Sequence, residues 1–316
     1  MNHFLGIDIG GTNIVFGVVN ESGEVVFEES VPTSDFESAE KLADYISTAV
    51  KNNFKGNLSS IGIGAPSLNR ETLEIEYAPN LNWGEIIPIK TIFEEKFSLP
   101  VYVENDANAY ARGVKVFGEG KELENFAVVT LGTGVGLGTI INNAVVEGSN
   151  GLAGELGHFV VHQAGRECKC GNLGCLEAYV GAHGIVTTAK EKLEFSSGGS
   201  ALHKIQPSDL TPTEIFNAAR KDDPVALEVV DAVCHDLGYA LSSLINLMDI
   251  ENIYLTGGIT NSGNILRRKT EKHLKTYVLP NLRSKINLKI TSLNQNGGEI
   301  LGAVASIHEF SKATIS

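Results

Sequence analysis

The chain has 316 residues, of which 42% are hydrophobic and 20% charged, and its formal net charge at pH 7 is −13. This composition is ordinary for a folded globular protein and excludes a chain that is disordered over the length of a domain. Its Lys and Arg residues are scattered, whereas a nucleic-acid surface needs a basic cluster, so we expect no nucleic-acid partner.

We also expect no membrane partner, because no apolar run approaches the roughly 20 residues that cross a bilayer. The N-terminus leads directly into a short apolar strand and lacks the basic region and cleavage site of a signal peptide. These features predict a cytoplasmic protein. Cysteines in such a compartment are rarely a disulfide framework, and the spacing of Cys168, Cys170 and Cys175 is typical of metal ligation instead.

The first thirty residues predict three strands joined by two turns. Apolar runs at 4–9, 14–19 and 25–28 are separated by Gly10-Gly11-Thr12 and by Glu21-Ser-Gly-Glu24, and Gly-Gly between apolar runs is a hairpin signal. A helix should follow, since Ser34 to Glu37 fits a capping box and apolar residues then recur at helical spacing as far as Val50.

Strands and helices then alternate to the end of the chain. The pattern of residues 4–28 recurs at 126–147, where strands at 126–131, 135–141 and 144–147 enclose a turn with Gly and Thr at 132–134. This alternation predicts an α/β protein with mixed sheets. The other expected strands are 61–65, 101–104, 251–255 and 287–292, and the other expected helices are 89–97, 106–116, 177–194, 212–220, 223–248, 263–277 and a last one from Gly298.

Two Gly-rich turns are candidates for phosphate binding. Glycines let backbone N–H groups approach a phosphate closely, and an acid on the preceding strand, here Asp8, suits Mg²⁺. Either turn alone could be an ordinary hairpin, but two equivalent turns in two repeated units favour a polyphosphate held by both. The second is neither a dinucleotide fingerprint nor a Walker motif. The candidate nucleotide-binding residues are Asp8, Gly10, Gly11, Thr12, Asn13, Gly132, Thr133 and Gly134.

Two further motifs follow predicted strands. Thr256-Gly257-Gly258 could admit an adenosine moiety, or it could simply connect a strand to a helix. Asn105-Asp106 stands at the carboxyl end of a strand, where open α/β sheets bind ligands, so Asp106 could accept a proton from a substrate hydroxyl. Asn and Asp are also preferred helix N-caps, and the residues alone leave both interpretations open.

A Gly-rich segment around the cysteines has the ligands of a metal site. His158 with Cys168, Cys170 and Cys175 makes one His and three Cys, which is a closed tetrahedral zinc set and therefore structural rather than catalytic. The alternative is a group of unpaired structural cysteines. Glu155 and Glu177 flank this set, where they could hydrogen-bond a polyol or remain solvated surface acids.

Together these motifs resemble the ROK family (repressors, open reading frames and sugar kinases). The most specific piece is Glu155-x-x-His158, nine residues, then Cys-x-Cys-Gly-x-x-Gly-Cys-x-Glu177, and Gly6-Ile-Asp-Ile-Gly-Gly-Thr12 and Glu104-Asn-Asp-Ala-Asn-Ala109 support it. The resemblance covers essentially the whole chain. It implies a two-lobed actin/hexokinase-like (ribonuclease H-like) ATPase fold with mixed sheets and a central cleft, and a lobe closure that excludes water from the sugar.

The resemblance also implies lobe limits, an activity and partners. Residues 1–116 would form a small lobe, with a C-terminal helix at about 300–316 packed back on it, and 117–299 a larger lobe with the zinc segment at 155–177. The activity would be phosphoryl transfer from ATP with Mg²⁺ to a hexose, most simply to the 6-hydroxyl of glucose. A structural Zn²⁺ and a homodimer are further implications.

Several site residues follow from the resemblance alone. Asp106 would be the catalytic base, and His158 would bind zinc through one ring nitrogen and face the sugar with the other. The turns at 10–13 and 132–136 would hold ATP with Mg²⁺, together with Gly257 and Gly258. The residues that the resemblance places at the sugar are Gly64, Asn80, Asn105, Asp106, Glu155, His158 and Glu177.

The resemblance leaves alternatives for the substrate and for the activity. Ser67 stands where relatives often have Gly, and the segment 77–83 is shorter than in some glucokinases, so N-acetylglucosamine, N-acetylmannosamine, mannose or fructose are rival substrates. The family's repressors carry a helix-turn-helix ahead of the first phosphate-binding strand, which begins here at residue 3. We therefore expect an enzyme; the rival of another class is a non-catalytic sugar sensor.

Overall fold

The computed structural model describes residues 2–78, 80–196 and 198–313, with side chains as far as residue 307. The chain folds into two compact units. The first consists of Met1–Glu124, Gly138–Gly154 and Thr291–Ser316, and the second of Asn125–Leu137 and Glu155–Ile290. No helix in the described ranges is long and apolar enough to cross a membrane.

The strands are β1 His3–Ile9, β2 Asn13–Asn20, β3 Val25–Pro32, β4 Leu58–Ala65, β5 Ile75–Glu76, β6 Ile86–Ile87, β7 Val101–Asn105, β8 Phe126–Leu131, β9 Val135–Ile141, β10 Ala144–Val145, β11 Asn252–Thr256 and β12 Asn287–Ile290. The helices are α1 Ala39–Asn53, α2 Ile89–Phe97, α3 Asp106–Val116, α4 Glu177–Val180, α5 Ala182–Glu194, α6 Pro212–Ala219, α7 Pro224–Met248, α8 Asn264–Tyr277 and α9 Gly298–Ala313.

The sheet of the first unit has the strand order β3-β2-β1-β4-β7. β1 pairs antiparallel with β2 and parallel with β4, and β4 pairs parallel with β7. The register sets Asp8 beside Gly64 and Gly64 beside Glu104. Because the carboxyl ends of parallel strands lie at one edge of a sheet, this register brings the motifs that follow β1, β4 and β7 together.

Helices cover both faces of this sheet. On one face, α1 and α2 bury Leu42, Ile46 and Phe93 in the apolar core of the unit. On the other face, α9 approaches β4 so closely that a Cβ on Gly62 would lie 2.0 Å from the backbone oxygen of Ala303. Glycine is therefore required at this contact, and α9 packs directly on the strands that carry Asp8 and Asn105.

In the second unit, β11 lies between β8 and β12 and is parallel to both. Thr256 at the end of β11 pairs with Thr130 near the end of β8, so the segments that follow these two strands are neighbours. β9 begins in this unit and continues into the first, where its end pairs antiparallel with β10. The long α7 buries the predicted apolar stripe, including Val229, Val233 and Leu237.

The prediction of an α/β protein with mixed sheets is confirmed, but four local predictions were wrong. The strand expected at 144–147 ends at Val145. The helix expected from Ser34 begins at Ala39, and Ser38 caps it by accepting a hydrogen bond from Lys41 N. The helix expected at 177–194 is interrupted at Gly181, and the strand expected at 287–292 ends at Ile290. Residues 314–316 of the predicted last helix lie outside the described residues.

Candidate active site

The junction of β7 and α3 presents the predicted catalytic residue, Asp106. Asn105 is the N-cap of α3, and its Oδ1 accepts hydrogen bonds from the backbone N–H groups of Ala107 (3.1 Å) and Asn108 (3.2 Å). Asp106 is the first helical residue, is half-buried, and its Oδ1 accepts from Ala107 N at 2.8 Å. The helix-capping alternative therefore describes Asn105, while Asp106 keeps a carboxylate oriented by the first turn.

A buried ion pair holds this junction from behind. Glu104 Oε1 accepts the backbone N–H of Asn105 at 3.0 Å, and Glu104 Oε2 accepts Nε–H of Arg112 at 2.9 Å. Both side chains are buried, and burial raises the pKa of Glu104 although Arg112 opposes the rise. The ion pair fastens the end of β7 to the second turn of α3. Sequence reasoning quoted Glu104 within a motif but gave it and Arg112 no role.

In the first unit, the carboxylates of Asp106 and Glu299 both act on the carboxyl group of Asp8. A Cβ on Gly64 would lie 3.0 Å from Asp8 Oδ1 and 3.6 Å from Asp106 Cα, so Gly64 lies between these two acidic residues and a larger side chain would press on the Asp8 carboxylate. Burial, the Asp106 carboxylate and then the Glu299 carboxylate raise the pKa of Asp8 well above its ordinary value. Burial also raises the pKa of Asp106 and of Glu299. Glu299, in the first turn of α9, was missed because nothing nearby in sequence marks it.

The first Gly-rich turn is held in place by a residue that sequence reasoning missed. Gly10 N donates to Asn13 O at 3.1 Å, which closes the turn. Thr33 Oγ1 donates to Gly10 O at 2.7 Å, and Thr33 N donates to Thr12 O at 2.9 Å. A Cβ on Gly11 would lie 2.6 Å from Asn80 Cβ. Asn80, predicted to contact the sugar, therefore lies against a predicted nucleotide turn.

The second Gly-rich turn lies at the end of β8 in the second unit. Gly132 N donates to Gly134 O at 3.0 Å, and Gly136 N donates to the Thr130 hydroxyl at 3.1 Å. Gly257 has a φ of +89° and follows β11, and a Cβ on it would lie 2.4 Å from Leu131 O. The structure thus brings together two of the predicted nucleotide segments, at 132–134 and 257–258.

His158, Cys168, Cys170 and Cys175 form a candidate metal centre in the same unit. One ligand atom from each lies within 4.8 Å of the others. His158 Nδ1 lies 3.6 Å from Cys168 Sγ, and the sulfurs of Cys170 and Cys175 are 3.7 Å apart. Burial and then its two thiol neighbours raise the pKa of Cys175 to about 12, so this thiol keeps its proton at neutral pH unless a metal cation replaces that proton. The donor set fits a tetrahedral metal ion.

The two predicted sugar-binding acids beside this centre have different surroundings. Glu155 Oε2 lies 3.8 Å from His158 Nε2, the ring nitrogen that does not face the thiols. Glu177 instead has its Oε2 3.0 Å from Val135 N, within the second Gly-rich turn.

The predicted site residues are thus grouped by unit. The first unit contains Asp8, Gly10, Gly11, Thr12, Asn13, Gly64, Asn80, Asn105 and Asp106. The second contains Gly132, Thr133, Gly134, Glu155, His158, Cys168, Cys170, Cys175, Glu177, Gly257 and Gly258. The roles assigned to them stay predictions.

Comparison with known proteins identifies the family. The family model described as the ROK family matches residues 4–309. The chain is 35% identical over 308 residues to a glucokinase of Halalkalibacterium halodurans, covering 95% of this chain and 93% of the relative. It is 32% identical over 316 residues to a xylose repressor of Caldicellulosiruptor bescii, covering 96% of this chain and 77% of the repressor.

Solved structures agree on the fold. The crystal structure of a ROK family glucokinase from Streptomyces griseus, in complex with glucose and AMPPNP, matches with a TM-score of 0.85 and 32% identity, covering 96% of this chain and 98% of that one. The mixed α/β architecture is that of the actin/hexokinase-like ATPases, as predicted. The chain therefore belongs to the ROK family.

Proposed function

We propose that this chain is an ATP-dependent glucokinase, which converts glucose and ATP to glucose 6-phosphate and ADP in the first step of glycolysis. The observation that carries the proposal is the half-buried carboxylate of Asp106, oriented at the first turn of α3 in a chain 35% identical to a glucokinase. Of the similar proteins, the Streptomyces griseus enzyme is described with glucose and the ATP analogue AMPPNP, which supports both substrates.

The reaction needs a base, and Asp106 is the proposed one. As the 6-hydroxyl oxygen of the sugar bonds to the γ-phosphorus, its proton passes to Asp106 and the bond from the γ-phosphorus to the β,γ-bridging oxygen breaks, releasing ADP. Burial raises the pKa of Asp106, which makes the carboxylate a stronger proton acceptor. The buried Glu104–Arg112 pair keeps the backbone that carries this carboxylate fixed.

The nucleotide is proposed to bind through Gly10–Asn13, Gly132–Gly134, Gly257 and Gly258. Glycine turns suit this task because their N–H groups can point at phosphate oxygens. Mg²⁺ would be held by Asp8 and would neutralise charge on the β- and γ-phosphates. Asp8 suits a cation, since the neighbouring Asp106 and Glu299 carboxylates oppose its negative charge. The proposed sugar contacts are Gly64, Asn80, Asn105, Asp106, Glu155, His158 and Glu177.

We propose that the metal of the His158 and three-cysteine centre is a structural Zn²⁺. All four tetrahedral positions would be filled by protein ligands, so no position remains for a catalytic water. His158 would bind zinc through Nδ1, which faces Cys168, and direct Nε2 toward the sugar. Metal analysis of reduced, chelator-free protein should find one zinc per chain.

We further propose a cytoplasmic homodimer with lobes at 1–116 and 117–299. The cytoplasm supplies ATP and keeps free thiols reduced, as the proposed zinc site needs. Twofold dimers are the commonest oligomers, and light scattering coupled to gel filtration would measure the oligomeric state.

The sugar is tested by an assay that couples ADP release to a panel of sugars. Glucose should give the highest kcat/KM among glucose, mannose, fructose, N-acetylglucosamine and N-acetylmannosamine. A higher value for another member would reassign the substrate and leave the kinase proposal in place.

The catalytic role is tested by Asp106→Asn. Loss of the base should lower kcat by about 10²–10⁴-fold, while calorimetry should show glucose binding within a few-fold of the wild type. Asp35→Asn, the same change at an exposed position, is the control and should leave kcat unchanged. Full turnover by Asp106→Asn would remove Asp106 from the mechanism.

A second candidate function is a sugar sensor without catalysis. It is favoured by the 32% identity to a xylose repressor over 96% of this chain. A sensor would bind sugar and release no ADP from ATP, so the same assay, run beside calorimetric sugar binding, separates the two functions.

A further inference from the structure

Three contacts between the residues from Glu155 to Ala182 and the second Gly-rich turn carry the inference, and all lie within the second unit. Glu177 Oε2 accepts the N–H of Val135 at 3.0 Å. A Cβ on Gly157 would lie 2.3 Å from Val135 O, so the backbone of this segment lies directly against the turn. Ala182 N donates to Gly132 O at 3.0 Å. Both backbone polar groups of Val135 therefore face the segment between Glu155 and Ala182.

The Glu177 contact is the strongest of the three in chemical terms. A hydrogen bond from a backbone N–H to an ionised carboxylate is roughly twice as strong as one between neutral groups. The carboxylate lies over the turn itself, because a Cβ on Gly134 would be 2.3 Å from Glu177 Oε2. The turn needs such a partner, since alternating glycines from 132 to 138 give its backbone wide conformational freedom.

We propose that Glu177 is a positioning residue for the nucleotide, in addition to its proposed sugar contact. Its carboxylate fixes Val135 and thereby sets the directions of the N–H groups of Thr133 and Gly134 toward phosphate. Glu177 follows the proposed metal ligand Cys175 by two residues. Metal binding would therefore fix the backbone at residue 177, from which the carboxylate reaches the turn. This inference rests on the proposed nucleotide role of residues 132–134.

Whether removal of Glu177 weakens or tightens nucleotide binding distinguishes a positioning role from simple charge repulsion. A carboxylate beside a bound polyphosphate repels it, so if charge alone mattered, removing Glu177 would tighten nucleotide binding. If the carboxylate positions the turn, removing it frees the glycines and weakens binding. If Glu177 contacted only the sugar, its removal would leave nucleotide affinity unchanged when sugar is absent.

The experiment is calorimetric titration of Mg²⁺-AMPPNP into the zinc-loaded, full-length protein without sugar. We expect Glu177→Ala to raise the Kd at least about tenfold, as for loss of a charged hydrogen bond. Glu177→Gln keeps an acceptor of the same reach and should stay within about threefold of the wild type, since a neutral bond retains part of the energy. Glu177→Asp keeps the charge but shortens the side chain, and should weaken binding as Ala does.

Glu155→Gln is the matched control on the same segment. Its carboxylate faces His158 Nε2, so this variant should change sugar affinity and leave the AMPPNP Kd unchanged. Hydrogen exchange gives a readout apart from ligands: the Val135 amide should exchange faster in Glu177→Ala and Glu177→Asp than in Glu177→Gln. Zinc content and far-UV circular dichroism confirm that each variant is folded.

An unchanged or lower Kd in Glu177→Ala would overturn the inference, as would equal exchange of the Val135 amide in all variants. Should Glu177→Ala fail to fold, the comparison of Asp with Gln decides by the same criterion. If the wild type failed to bind Mg²⁺-AMPPNP, the proposed function itself would be overturned. If the wild type and Glu177→Ala bound it equally well, only the role of Glu177 would be overturned.

Discussion

At the scale of single residues, the carboxyl group of Asp8 is surrounded by other acids, because the carboxylates of Asp106 and Glu299 both raise its pKa. Asp8 lies near the end of β1, Asp106 is the first residue of α3 and Glu299 lies in the first turn of α9, and the pKa of each is raised chiefly by burial. Such an arrangement is unfavourable without a cation, because two of the negative charges act on the third. Perturbed carboxylates of this kind are common at functional sites, which agrees with the proton acceptance and Mg²⁺ binding that we propose for Asp106 and Asp8.

Glu299→Gln tests the coupling through the pH dependence of stability. A carboxyl whose folded pKa is raised stabilises the fold fully below its unfolded pKa, and this contribution is lost as pH rises through the folded pKa. The substitution removes the raised pKa of Glu299 and one cause of the raised pKa of Asp8. The loss of unfolding free energy between pH 4 and pH 8 should therefore shrink, by about 1.4 kcal/mol for each pKa unit removed.

Urea unfolding at the two pH values, in the presence of a chelator, measures this loss. Glu37→Gln is the control, since Glu37 is exposed and its change should leave the pH dependence as it is. An equal loss in the wild type and Glu299→Gln would contradict both the raised pKa of Glu299 and its action on Asp8.

The sequence predicted the residues whose chemistry is marked by their neighbours. Asp8 and Asp106 stand in motifs beside glycines or Asn, and the metal ligands have a spacing that few other functions require. Thr33, Arg112 and Glu299 were missed for a common reason. Each acts on a motif through a tertiary contact and has no local sequence signature of its own. The sequence separation is 23 residues between Thr33 and Gly10 and 8 residues between Arg112 and Glu104.

At the scale of elements, hydrophobic periodicity predicted the long helices well and the short boundaries poorly. The apolar stripe of α7 predicted 223–248, and the helix spans Pro224–Met248. The predicted start of α1 was wrong because Ser34 and Ser38 are both followed by an acid and by apolar residues, so either could be the N-cap. Residues 33–35 instead form a separate 3₁₀ turn, and Ser38 is the N-cap. Gly181 breaks the helix expected at 177–194 where its backbone approaches Thr133 O, a tertiary contact that periodicity cannot register.

The contact of α9 with β4 gives a prediction at this scale. In Gly62→Ala the added Cβ would lie 2.0 Å from Ala303 O, a backbone atom that cannot move without the helix. We expect the variant to lose about 3 kcal/mol or more of unfolding free energy, at or above the usual range for overpacking. Because α9 carries Glu299 and packs on the strand beside Asp8, kcat should fall as well.

Thermal unfolding and the ADP-release assay measure the two effects. Ser59→Ala is the control, since Ser59 is exposed on the same strand and its side chain should be dispensable. A melting temperature within 1–2 °C of the wild type, corresponding to about 0.5 kcal/mol or less, would mean that α9 can shift without cost.

At the scale of the whole molecule, the chain repeats one supersecondary plan and then departs from it. Strand, Gly-Thr turn and strand occur at β1–β2 and again at β8–β9, and the repeat was visible in the sequence. The limits of the compact units could not be derived from this repeat, because the first unit also includes Gly138–Gly154 and Thr291–Ser316, which are distant in sequence from its first segment. Sequence periodicity is local, whereas membership of a unit is decided by which faces bury one another.

Removal of the metal should affect the two units differently, because all four proposed ligands lie in the second unit. The Gly-rich segment at 155–177 has few buried apolar residues of its own, so the metal should supply much of the energy that orders it. Chelation under reducing conditions should lower the melting temperature and raise hydrogen exchange in 155–177 and in the turn at 132–136. Exchange in β1, β4 and α9, which belong to the first unit, should stay close to that of the metal-loaded protein.

Cys170→Ser distinguishes a lost metal from a lost side chain. Cys170 is exposed, so in the metal-free protein its substitution should be nearly neutral, whereas in zinc-loaded protein it should reproduce most of the effect of chelation. Restoring Zn²⁺ should reverse chelation in the wild type and have little effect in the variant. Equal melting temperatures with and without the metal would show that hydrogen bonds within the segment, rather than a bound ion, order it and support Glu177 against the turn.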